Sequence, residues 1–261
     1  MESSVAAGPA AELGPRPLSA SALLAVWERG ALQQSTERAL TLLAASCPNA
    51  SVDALRRLPV GERDAQILRA REQTLGGELA GVATCPTCGA RLGVTIETAG
   101  LYAGTTNPGE AGPHVLQLER DGFQIRFRLP TSDDLRHVHP GQELGANRLA
   151  VLARCILSAR RDDIQVSVNR LPEAIVGAIE QAMSDADPHA NIEVPIACAE
   201  CGHEWSAELD VLRFFWAEIE AWARRLQREV HLLASAYGWR EGDILALSAV
   251  RRHAYLELIG T

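Results

Sequence analysis

Cys85-Pro86-Thr87-Cys88-Gly89 and Cys198-Ala199-Glu200-Cys201-Gly202 are two copies of one pattern, Cys-x-x-Cys-Gly. Two intervening residues let both thiolates of such a knuckle point at one ion, and the glycine behind them can take the positive φ that turns the chain back into a strand. Each copy lies between segments of period two. Leu92, Val94 and Ile96 alternate with polar or small residues after the first knuckle. Ile192, Val194 and Ile196 precede the second, and Glu204, Ser206 and Glu208 alternate with Trp205 and Leu209 behind it. Four thiolates complete a tetrahedron, so the expected site is one Zn2+ held by Cys85, Cys88, Cys198 and Cys201. Such a site is closed to water and substrate, which makes it structural. The expected centre of the fold is a zinc-ribbon-like β module.

Between Cys88 and Cys198 lie 109 residues, where many ribbons have about 20 or fewer. Closing a loop of that size costs about 4 to 5 kcal/mol, while structural zinc supplies about 10 to 16 kcal/mol in small peptides, so a long insertion is compatible with a shared ion. A redox role would place a thiolate at a helix N-terminus, whereas both pairs lie between strand-like segments. His203 reads as a neighbour of a filled coordination shell. Cys47 and Cys155 fall in apolar helical patterns and read as small core residues.

Outward from the knuckles the chain divides into an α+β outline. Residues 1–17, rich in Gly, Pro, Ala and Ser, have neither a basic nor an apolar leader segment and read as a disordered tail. Residues 18–80 read as helical. Ser21 is placed as a cap before Leu24, Trp27 and Ala31, a stripe of Ala39, Leu40, Leu43 and Ala44 follows Ser35, and a helix runs from Pro59 to Gly76-Gly77. Residues 81–210 form the β module, with Phe123, Ile125, Phe127 and Leu129 on one strand face. A helical insertion interrupts it at about 131–190: a start at Thr131-Ser132-Asp133-Asp134, a helix carrying Leu149, Leu152, Ile156 and Leu157, a short strand Ile164 to Val168, and a helix from Leu171 to Met183. Residues 211–261 read as a C-terminal helical part whose stripe Phe215, Ile219, Trp222, Leu226, Val230, Leu233 and Tyr237 faces a core or a partner helix, with Gly238 as its end.

Composition narrows the chemistry. The 261 residues carry 33 Asp plus Glu against 25 basic residues, all arginine, for a net charge of −8. Without lysine there is no Walker lysine and no Schiff-base lysine. No nucleophile elbow, zinc-protease, dinucleotide or EF-hand motif is present. Asp133-Asp134 and Asp162-Asp163 fit helix caps or turns better than catalytic carboxylates. Arg224, Arg225, Arg228, Arg251 and Arg252 fit wet helix faces, with phosphate contact as the alternative. The chain is therefore expected not to be an enzyme, and no apolar run approaches the length of a membrane span. A nucleic-acid-associated zinc-ribbon protein is the competing reading, which the acidic charge and only 12 aromatic residues disfavour.

Several segments together resemble a known family: Leu58-Pro59-Val60-Gly61-Glu62-Arg63-Asp64, Cys85 to Gly89, Phe127-Arg128-Leu129-Pro130-Thr131, Tyr237-Gly238-Trp239 and Arg251-Arg252-His253-Ala254-Tyr255-Leu256. They are similar to the baseplate hub assembly proteins of T-even-like phages, and more so to relatives encoded with bacterial contractile injection systems. The resemblance implies a non-enzymatic role as an assembly chaperone or minor component of the baseplate or hub of a contractile tail. It implies baseplate or hub proteins as partners, and a place in the bacterial cytoplasm and then in the particle. Zinc is not a general requirement of that family. Together with the C-terminal stripe, the resemblance points to Trp222, Arg224, Arg228, Tyr237, Trp239, Arg251 and Arg252 as partner-binding residues.

Overall fold

The structure is a computed structural model and describes residues 14–102, 115–138 and 141–259. Four helices open it: α1 (Ala20–Gly30), α2 (Ser35–Ser46), the short α3 (Val52–Arg56) and α4 (Val60–Leu75). Ser19, two residues earlier than Ser21, caps α1 by accepting a hydrogen bond from the Ala22 amide, and Ala31 falls just outside the helix. Gly76, at φ 101°, ends α4. Of the expected tail, residues 1–13 lie outside the described residues. Residues 14–17 depart from the expectation: Pro15 is buried and the Arg16 amide donates to the Ser46 carbonyl at 2.8 Å.

Two antiparallel hairpins carry the knuckles. The first pairs β1 (Glu78–Thr84) with β2 (Arg91–Glu97), the residues between them forming the Cys85 knuckle. Between the hairpins stands a four-stranded antiparallel meander of β3 (Val115–Arg120), β4 (Phe123–Arg128), β5 (Ile156–Arg161) and β6 (Ile164–Gln165). It is interleaved with α5 (Ser132–Leu135) and α6 (Leu144–Cys155), and followed by α7 (Glu173–Ala186). The second hairpin pairs β7 (Glu193–Ala197) with β8 (Glu204–Glu208) around the Cys198 knuckle. The chain ends in α8 (Val211–Tyr237), α9 (Glu241–Ala246) and α10 (Ala249–Ile259).

This arrangement corrects the single β module expected over 81–210. Phe123, Ile125 and Phe127 do not pack with the cysteine hairpins; they meet Leu152, Ile175, Val176 and Ile179 of α6 and α7 in a core of their own. The inserted unit therefore begins with β3 and contains four strands, where a helical insertion from about 131 was expected. Ile156 and Leu157, expected on the helix, open β5, because Ile156 pairs with Phe127 and continues the sheet. The strand expected over Ile164 to Val168 is shorter, giving way to a 3-10 turn at Val168–Arg170. Asp121-Gly122 and Asp162-Asp163 take positive φ and form the tight turns of the meander, so the Asp162-Asp163 pair is a turn.

The principal core joins α1, α2, α4 and the first half of α8, with Leu79 and Ile192 from the two hairpins. Leu43, Ile67, Leu68, Phe215 and Ile219 are buried there. The expected boundary at residue 211 thus runs through one core. Two points of the inserted unit, the link between β4 and α5 and the exit after α7, are fastened to one place, the start of α4. There the Val60 amide donates to the Pro130 carbonyl at 3.0 Å, and the Gly61 amide donates to Asp187 Oδ2 at 2.9 Å.

The candidate metal centre and its scaffold

The inserted unit is tied to the start of α4 at Pro130 and Asp187, and the tips of the hairpins on either side of it come together. The two knuckles have the same local geometry. The Cys85 amide donates to the Ala90 carbonyl and the Gly89 amide to the Cys85 carbonyl; in the second copy Cys198 donates to His203 and Gly202 to Cys198. Gly89 and Gly202 sit at φ 74° and 71°, the conformation for which glycine was expected there.

The four sulfurs lie within 4.8 Å of one another. Cys85 Sγ is 3.7 Å from Cys201 Sγ, and Cys88 Sγ is 3.6 Å from Cys198 Sγ. A tetrahedron with Zn–S bonds of about 2.3 Å has edges of about 3.8 Å, so these two spacings are compatible with a four-thiolate ion. Cys85 and Cys198 are buried, Cys88 and Cys201 exposed. Backbone amides point at the sulfurs. Burial opposes the Cys85 thiolate, but the Cys88 and Thr87 amides outweigh it, helped by the Cys88 and Cys201 thiols, and hold this thiol down at about 6. The His203 amide favours the Cys201 thiolate, yet burial and the three neighbouring thiols push that group up to about 12. Four thiolates in this space repel one another unless a cation joins them, which is the chemistry of a metal site.

His203 stands outside the sulfur cluster, its ring stacked on Trp205 at 5.9 Å. Cys47 and Cys155 are buried in the helical cores, and burial raises both thiols, Cys155 to about 11.

Residues 20–216 match the family described as T4 bacteriophage base plate protein. The chain belongs to that family. No curated protein sequence and no solved structure matches it. The matched residues contain Leu58 to Asp64, both knuckles and Phe127 to Thr131; Tyr237 to Trp239 and Arg251 to Leu256 lie beyond them.

The expected partner-binding residues lie along α8 and on through α9 to α10, a C-terminal arm, but not on one face. Trp222 is half-buried against the principal core. Arg252 is buried, its Nε donating to Glu229 Oε2 at 3.1 Å and its Nη1 to the Leu247 carbonyl at 2.7 Å. Tyr237 and Trp239 stack at 4.8 Å, with Tyr255 edge-on to both. Arg224, Arg228 and Arg251 are exposed. Among the described residues no helix is long and apolar enough to cross a membrane.

Two polar residues that organise the scaffold were not singled out for that role by sequence. Asp134 is fully buried; its carboxylate takes hydrogen bonds from Arg128, Arg154 and the amide and hydroxyl of Thr131. The Thr131-x-x-Asp134 spacing is the available signal, since it is that of a capping box. Asp187 receives Gly61 from 126 positions away, and nothing local in the sequence announces that pairing.

Proposed function

We propose that this base plate protein is a non-enzymatic assembly factor or minor structural component of the baseplate or hub of a phage-like contractile tail or injection system, built and acting in the bacterial cytoplasm. The observation that carries the reading is the family match over residues 20–216. The thiolate cluster supports it, because a closed set of four sulfurs stabilises a fold and leaves no open coordination position for chemistry. In this reading the ion is structural Zn2+, and the two hairpins with their knuckles form a zinc-ribbon-like unit. The tip of the C-terminal arm contacts other baseplate proteins through Tyr237, Trp239 and Arg251, beside the exposed apolar Val250 and Leu258.

A nucleic-acid-binding ribbon is disfavoured by the charge of the hairpins. The solvent face of β7–β8 carries Glu193, Glu204 and Glu208, a surface that repels phosphate. The test is deletion of the gene in cells that make the particle, followed by electron microscopy. The expected result is tails that lack a complete baseplate; normal particles overturn the reading.

A further inference from the structure

The solvent face of α8 is basic on a molecule whose net charge is −8. Arg224, Arg225, Arg228 and His231 follow one another along it, all exposed. Glu220 answers Arg224 at 2.5 Å; Arg225 and Arg228 meet no charged group among the described residues. The opposite irregularity lies on the second hairpin. Glu193 faces Glu208 directly in the register, and Glu204 lies on the same exposed face with only Pro195, Ala197 and Ser206 for company. Like charges placed directly opposite across a strand pair destabilise it unless a cation comes from outside.

We propose that the α8 stripe of one copy docks on the β7–β8 face of a second copy of this chain, pairing Arg224, Arg225 and Arg228 with Glu193, Glu204 and Glu208. The glutamates are spread more widely than the arginines, and the long, flexible arginine side chains span the difference. Arg224 and Arg228 stand about 6 Å apart along the helix and His231 about 10 Å from Arg224, while Glu204 and Glu208 are about 13 Å apart along the strand and Glu193 about 5 Å across from Glu208. Arg224 also lies about 20 Å along the helix from Val211, where the hairpin's own chain enters α8. The contact is heterologous, since each copy offers one surface of each kind, and it generates a ring or a run of copies. Exposed ion pairs are individually weak, so the association is concentration-dependent and sensitive to salt. It is independent of any baseplate partner and is read on the purified chain.

Sedimentation velocity over about a hundredfold range of protein concentration tests it, at about 50 mM and about 500 mM NaCl. Oligomers are expected at low salt and monomer at high salt. A variant with Arg224→Glu, Arg225→Glu and Arg228→Glu, and a second with Glu193→Arg, Glu204→Arg and Glu208→Arg, should each weaken self-association at least about tenfold. Mixed, they should associate again, because the intact stripe of the second variant meets the intact hairpin face of the first and the two reversed surfaces are themselves of opposite charge. Circular dichroism checks that both are folded, and Arg225→Glu and Glu193→Arg alone serve if either triple variant is not. Monomer throughout, association unaffected by the reversals, or a stripe that binds duplex DNA in preference to a second copy overturns the proposal.

Discussion

The backbone amide of Gly61 donates to the Asp187 carboxylate at 2.9 Å, joining the first turn of α4 to the exit of the inserted unit 126 residues later. The contact leaves no room for a side chain. A Cβ on Gly61 would press into the Asp187 carboxylate and stand 2.5 Å from the Ala190 nitrogen. Gly61→Ala should therefore destabilise the chain by about 2 to 4 kcal/mol through overpacking and a lost charged hydrogen bond. Denaturant unfolding measures it, and a change under about 0.5 kcal/mol, the range of an ordinary surface site, would count against this fastening.

Asp134 should make the inserted unit acid-sensitive. Burial opposes its ionisation, but Arg128 and the Thr131 amide and hydroxyl outweigh it and hold the carboxyl at about 2, below the ordinary 3.8. A carboxyl held down in the folded state contributes stability above its unfolded value and loses it as pH falls toward the folded one. The loss is therefore expected between about pH 4 and pH 2. Asp134→Asn, which leaves two arginines without their anion, should cost about 2 to 4 kcal/mol at pH 7 and remove that acid transition from the melting profile.

Glu62 has the opposite sign. Burial, and then the negative charge of Asp187, raise its carboxyl from 4.5 to about 7 against the partial help of Arg69, and its Oε1 has no hydrogen-bond partner. The folded state binds this proton more tightly, so the contribution is present below pH 4.5 and is lost as pH rises toward 7. Glu62→Gln should be near neutral at pH 4 and stabilising by about 1 to 3 kcal/mol at pH 8. Thermal melts of both proteins across that range decide it; a constant difference between them would exclude titration of Glu62 as the cause.

Much of the candidate metal site was legible in sequence, because Cys-x-x-Cys-Gly is local: spacing aims the thiolates and the glycine supplies the turn. The helices were legible for the same reason, with α8 following its stripe from Phe215 to Tyr237 and stopping at Gly238, φ 67°. What was not legible depends on distant pairing. Phe123, Ile125 and Phe127 show a strand with one buried face, but the period cannot say that the face meets α6 and α7 instead of the cysteine hairpins. Arg252 looked like a wet-face cation, and only the fold brings Glu229 beside it. The start of α4 changes the energetic argument as well. Since Pro130 and Asp187 are both tied there, a metal at the four cysteines would not close the long loop unaided.

The metal therefore should stabilise the hairpin tips more than the whole chain. Elemental analysis should find about one zinc per chain, and Cys88→Ser or Cys201→Ser should each abolish it. Chelation should lower the melting temperature and loosen β1–β2 and β7–β8 in hydrogen exchange, while the core around Leu43, Ile67 and Phe215 stays protected. Metal-free protein with unchanged melting and unchanged hairpin exchange would remove the structural role.

Affinity capture of the tagged full chain from cells producing the particle, read by mass spectrometry, tests the assembly role most directly. Baseplate or hub proteins of the same particle should be recovered with the wild-type chain, and should be depleted when the arm is truncated after Gly238, a cut that spares the principal core and the four cysteines. Capture in which particle proteins are absent, with the chain intact and folded, would contradict the account.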